Sequence, residues 1–484
     1  MPNAPQEATL PTHLTPAHRD SPGLQATSAL LLGPLAAALI WFLPLEIDPT
    51  SQKVSAVVVF MIIYWVAEPI DHAVTALIGC YLFWALCSTK FSVAFSGFSS
   101  TAPWFIFGGM LIAEAASSSG LAKRLGYRVL YMTGTSYFKL LIGVTTLSFL
   151  LGPFIPSGIA RIAIVAPLLI GVLTVLNQPK HGNVGKGVFL TLTVISLLVD
   201  KVLLAGPAAI LTHGILKDQA GVEILWGKWV LAFLPVTLAT IVASSVAARW
   251  LFPDSNGENQ RGTQYLLNSI VELGPLTVKE KKTLLIVGVA FGLWATDFIH
   301  HLNPTIIALG AGLSLALPKI GVLDTNAIKK ANFLIIIFSA GALSMATVLS
   351  RSDVFHALKA IFVQIAPLLS NSFLASILLY WGGILSHFIF PNNQSLLSTS
   401  LPLLLSVIET TSYNPAVLGL IWQFAGGGTL FAYQSTVLVV GYSYGYFNSR
   451  DLIKFGATMM IIEGVLIMII VPLYWPLIGL DWIP

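Results

Sequence analysis

Charge is what this sequence has least of. Asp, Glu, Lys and Arg make up 10% of its 484 residues, hydrophobic residues 56%, and the mean hydropathy is +0.83. Soluble domains carry about 25% charged residues, so a soluble fold is excluded. The basic residues sit at the ends of apolar runs rather than in a patch, which argues against a nucleic-acid partner. Only two cysteines occur, Cys80 and Cys87, seven apart in one apolar segment. That rules out a disulfide framework and leaves two packing residues. The apolar runs are continuous, without the alternation of a β-barrel. His300 and His301 follow Asp297 but lack a third ligand at metal spacing, so no metal or other cofactor is expected. No paired acids or Ser/His set stands at membrane depth, which sets a membrane enzyme aside. Residues 1–26 are polar and rich in Pro, Thr and His. They lack the pattern of a signal peptide and read as a disordered cytoplasmic tail.

What remains is a succession of apolar runs bounded by charge, glycine and proline. They predict an all-α polytopic membrane protein with about eleven transmembrane helices plus two re-entrant hairpins. A first transmembrane helix covers 27–46. A first repeat covers 53–252, with a hairpin at 137–176. A polar cytoplasmic linker occupies 253–279. A second repeat covers 281–478, with a hairpin at 360–409. An N-in, C-out orientation puts seventeen of the 25 Lys and Arg on the cytoplasmic side, as the positive-inside rule favours. A segment at 120–135 with Lys123, Arg124 and Arg128 reads as interfacial.

The first hairpin turns at Gly152-Pro153-Phe154-Ile155-Pro156-Ser157-Gly158-Ile159-Ala160-Arg161. Two prolines and two glycines forbid a continuous helix. Broken backbone at membrane depth is tolerated only inside protein or against a wet cavity. Ile155–Leu169 aligns without gaps on Phe390–Leu404, 235 residues later. Ala205–Leu211 likewise sits opposite Ala432–Leu438. An odd number of crossings per half inverts the second half. Inverted repeats with broken helices in matching places mark a secondary transporter.

In this order the Gly108-Gly109-Met110-Leu111 helix, the Pro156–Arg161 tip, the interrupted helix and Trp226…Phe233-Leu234-Pro235 resemble the divalent anion:sodium symporter family of di-/tricarboxylate and sulfate carriers. The Ala160-Arg161 pair is similar to the 2-oxoglutarate/malate and citrate/succinate translocator branch. The family's Ser-Asn-Thr tips are degenerate here, reading Ser157-Gly158-Ile159 and Asn392-Asn393-Gln394. The resemblance implies a homodimer in the membrane, bacterial inner membrane included, and a small anionic substrate.

Arg161 stands at the start of a half-helix, where a guanidinium and a helix N-terminus both favour a carboxylate; the alternative is an arginine paired with an internal acid. Ser157, Gly158, Asn392, Asn393, Gln394, Ser395, Gln434 and Ser435 complete the expected substrate set. Asp200 and Lys201 read either as a structural ion pair or as coupling and charge-balancing groups. Lys201 would place a fixed charge near a sodium position of the family, which leaves sodium coupling doubtful and proton coupling or exchange open. His387 reads as a proton-linked ligand or an interior histidine. The function expected is secondary active transport of di- or tricarboxylates such as succinate, malate, 2-oxoglutarate or citrate. An inorganic oxyanion carrier and a proton/cation antiporter are the alternatives.

Overall fold

Proline, glycine and N-capping side chains cut an otherwise uniformly apolar chain into helices. A computed structural model describes the chain except residues 1–23, 45–46, 156, 255–259, 354–365, 389, 391–392, 407–411, 428–429 and 484. The expected disordered tail therefore lies almost wholly outside the described residues, and Asn392 lies outside them too. Among the described residues the fold is entirely helical. Six described helices, or seven counting one bent pair, are long and apolar enough to cross a membrane, and six shorter apolar helices accompany them among the described residues.

The chain opens with α1 (Leu24–Phe42), α2 (Pro49–Ala67) and α3 (His72–Leu86). Asp48 and Asp71 cap α2 and α3 by accepting backbone N–H groups. Then α4 (Thr101–Ser118) meets α5 (Leu121–Thr133) at a 68° bend. The first helix–break–helix unit is α6 (Tyr137–Leu151) and α7 (Gly158–Val175). It is followed by α8 (Asn183–Val202), α9 (Pro207–Ala220) and α10 (Trp226–Leu251). The second part begins with α11 (Gln260–Glu272), α12 (Val278–Ala295), α13 (Pro304–Ala316) and α14 (Phe333–Ser350). A second helix–break–helix unit is α15 (Ser372–Ser386) and α16 (Asn393–Ser406). The described helices end with α17 (Pro415–Ala425), α18 (Thr436–Ser443) and α19 (Ser449–Leu473), apart from a short final turn.

Burial ranks these helices. The α8–α9 stretch is 94% buried over its most apolar window, against 39% for α10. Helices α6, α7, α10 and α18 all pack on α8. The helix that carries Asp200 and Lys201 is thus the stem of the molecule.

Two regions differ from the sequence reading. The linker is not simply a loop, because α11 forms within it. Tyr265, Leu266 and Ile270 fall at helical spacing, and that face packs on α5 and α7. Within the segment read as interfacial, Arg124 is not exposed. It is buried, pairs with Glu280 at 2.6 Å and donates to the Gly274 carbonyl at 2.7 Å. Glu280 also closes a capping box with Thr277 at the start of α12. One arginine in α5 therefore fixes where the linker ends.

Candidate functional site where four half-helices meet

Each break has a local cause. Ser157 adopts an extended conformation, and its Oγ accepts from Ala160 N at 3.3 Å, which starts α7. Pro207 occupies the first turn of α9, where its missing N–H costs nothing. Gly206 is needed before it, since a Cβ there would stand 2.4 Å from the Asp200 carbonyl oxygen. Ser435 is extended as well, and its Oγ accepts from Val437 N to start α18.

These starts converge. A cavity of about 140 Å³ is lined by Ser157, Gly158 and Ile159 of α7, Pro207 and Ala208 of α9, Asn393 and Gln394 of α16, and Ser435, Thr436 and Val437 around the start of α18. Leu197, Asp200 and Lys201 of α8 and Ile335 of α14 complete the wall. The first turns of four helices face one space. Each helix N-terminus carries roughly half a positive charge and unbonded N–H groups, so the cavity suits an anion. Ser157, Ile159, Pro207 and Ile335 also line a second, larger space of about 340 Å³, which Glu114, Ser117 and Asn332 border. The two spaces adjoin through these four shared wall residues, and the larger one is termed the vestibule.

Of the residues expected from the sequence, Ser157, Gly158, Asp200, Lys201, Asn393, Gln394 and Ser435 line this one cavity. Arg161, Ser395 and Gln434 do not. Arg161 is fully buried. Its guanidinium pairs with Asp200 at 2.5 Å and donates to the carbonyls of Ile155 and Ser196, each at 2.5 Å. Asp200 also accepts from Gly158 N at 3.2 Å. The start of α7 is thus already met by the chain's own carboxylate. Gln434 is committed too: its side-chain oxygen accepts from Leu430 N and Phe431 N, both at 2.9 Å, and shapes the turn before α18.

Lys201 does not pair with Asp200. Its ammonium donates to the Gly427 carbonyl at 3.0 Å, lies 5.2 Å from the centre of the Phe424 ring, and pairs with Glu463 of α19 at 3.6 Å. Both partners of this pair are nearly inaccessible to solvent. Gly427 follows the end of α17, so the ammonium occupies the carbonyl end of a broken helix, where cations are favoured. Glu463 escaped the sequence reading. Its signal is plain afterwards: it is a lone acid in the middle of the last apolar run. His387 is buried and lies within electrostatic reach of Lys201.

Broken helices that converge on one cavity with polar groups in its wall are the architecture of a multi-pass transporter, and the family match sets an enzyme aside. Residues 25–480 match the family described as "Sodium:sulfate symporter transmembrane region", and the chain belongs to that family. This bears out the resemblance carried by the hairpin and helix motifs. A membrane protein of Cupriavidus necator is 25% identical, over 94% of this chain and 93% of its own length. The citrate/succinate antiporter of Escherichia coli K12 is 24% identical, over 93% of this chain and 98% of its own length. Among solved structures, the YdaH transporter of Alcanivorax borkumensis shares the fold, with a TM-score of 0.55 at 14% identity, covering 94% of this chain and 99% of that one.

Proposed function

We propose that the chain carries small organic anions, di- or tricarboxylates of the succinate, malate, 2-oxoglutarate or citrate type, by alternating access. The observation that carries this reading is the meeting of four half-helix N-termini at one cavity, one of them already met by Asp200. Relatives named as a citrate/succinate antiporter, an L-tartrate/succinate antiporter and a putative malate transporter support the same substrate class. The polar walls contributed by Ser157, Asn393, Gln394 and Ser435 supply hydrogen bonds to carboxylate oxygens. Arg161 acts by holding Asp200 and the first tip in place rather than by touching substrate.

The two helix–break–helix units and the broken helices α8–α9 and α17–α18 form the moving part, organised as two inverted repeats within eleven crossings. In the N-in orientation the vestibule beside Glu114 and Asn332 faces the cytoplasm, so the conformation is inward-facing. The protein sits in a bacterial inner membrane as a homodimer. Unwound carbonyls and half-helix C-termini are where such carriers coordinate a cation. Here the Lys201 ammonium holds that position, so transport is independent of sodium.

Counterflow in liposomes, with succinate, malate, citrate and sulfate in sodium and in choline, tests both parts. Equal carboxylate counterflow in the two media is the expected outcome. A response to none of the carboxylates would remove the substrate reading. Sodium-stimulated uptake that survives Lys201→Ala would remove the fixed-cation reading.

A further inference from the structure

Resting on the anion-carrier reading, we propose that Glu463 couples anion binding to protons: its protonation releases Lys201 to answer a substrate carboxylate, so a dianion binds with uptake of one proton. Two ion pairs lie at or beside the cavity, Arg161–Asp200 and Lys201–Glu463. Their four charges cancel, so without substrate no full charge is left to meet an anion. Only Asp200 and Lys201 of the four line the cavity. Arg161 is held by three acceptors from the first tip and α8. Lys201 is held less firmly, by one carbonyl, the face of the Phe424 ring and an acid 3.6 Å away. It is therefore the positive group that a substrate can recruit. Recruitment would leave Glu463 charged and unpaired in a site only 2% exposed. A buried, uncompensated carboxylate is strongly disfavoured, and a proton from solution onto its oxygen removes that obstacle.

The surroundings of Glu463 offer no other counter-charge among the described residues. From α8 it faces Lys201. From α15 it faces Tyr380, whose ring lies against Gly464 and whose hydroxyl donates to the Met460 carbonyl at 2.7 Å. His387, at the end of α15, neighbours Lys201 on the same side. Helix α10 packs along α19 but carries charge only at its ends, Lys228 and Arg249. At the start of α19, Asp451 is paired with Lys186.

The test is binding of succinate to the purified carrier between pH 5 and pH 9, wild type against Glu463→Gln, with Glu463→Asp as the charge-conserving control. Protonated Glu463 favours the anion, so wild-type affinity is high at low pH and falls as pH rises, by up to about tenfold per pH unit for one linked proton. Comparing the two proteins cancels the titration of succinate itself. The glutamine variant binds about as tightly as wild type at pH 5 and more tightly at pH 9, a gain that misfolding cannot produce. The aspartate variant keeps the wild-type slope. Calorimetry of the wild type at pH 8, in two buffers of different ionisation enthalpy, gives close to one proton taken up per succinate bound. Parallel pH profiles in wild type and Glu463→Gln, or no proton uptake by the wild type, overturn the proposal. If no anion binds at any pH, the carrier reading falls, and this coupling with it.

Discussion

Asp200 and Lys201 are neighbours in the chain, yet they serve opposite ends of the site. Asp200 reaches the start of a helix and fills an anion position with the chain's own carboxylate, held by Arg161 and Gly158 N. Lys201 reaches the end of another helix and fills a cation position with the chain's own ammonium. Both substitutions use helix-end electrostatics, but they differ in how firmly they are fixed. The guanidinium makes three contacts at 2.5 Å and cannot lose its proton. The ammonium has a longer ion pair to a group that can be neutralised. The Asp200 side is the firmly held half of the site, and the Lys201 side is the looser one.

Breaking the firmer pair has the largest effect. Asp200→Ala leaves Arg161 buried with no acid, at a cost of about 3–5 kcal/mol. It is expected to lower the thermal midpoint of the detergent-purified protein sharply and to abolish transport. Lys201→Met costs less, about 1–3 kcal/mol, because the stranded Glu463 can take a proton. Joining it with Glu463→Leu returns the midpoint close to wild type, since replacing a whole buried pair by apolar groups is often neutral. Transport does not return with it. A double variant as unstable as Lys201→Met alone would show that the two pairs do not differ as described. The smallest effects come from the two caps. Ser157→Ala and Ser435→Ala each remove a capping oxygen, at about 1 kcal/mol. Succinate affinity falls in both while the midpoint barely moves. A midpoint drop as large as that of Asp200→Ala would make the serines structural rather than part of the cavity.

The breaks were legible in the sequence because Gly, Pro and Ser are local instructions. The Ser157 tip, the 203–206 break before Pro207 and the Ser435 start follow from residues within a few positions of each other. The polar cavity residues were legible for a related reason, since Asn393, Gln394 and Asp200 have no business in lipid unless protein surrounds them. Pairing was not legible. Asp200 and Lys201 invite each other on paper, but adjacent helical residues point in different directions and do not face each other. Their partners lie 39 positions before Asp200, at Arg161, and 262 after Lys201, at Glu463. Only the packing of α7 and α19 on α8 reveals them. The linker helix α11 was hidden by its polar composition, because only one of its faces is apolar.

Gly427 ties these observations to how such a site can change over generations. A Cβ at that position would stand 1.7 Å from Lys201 Cε, so a larger residue there would push the end of the lysine side chain away from where it now reaches. Positions 201, 427 and 463 are therefore coupled through the lysine side chain. A lineage that exchanges the lysine for a shorter residue frees position 427 to vary and leaves 463 without a reason to be acidic.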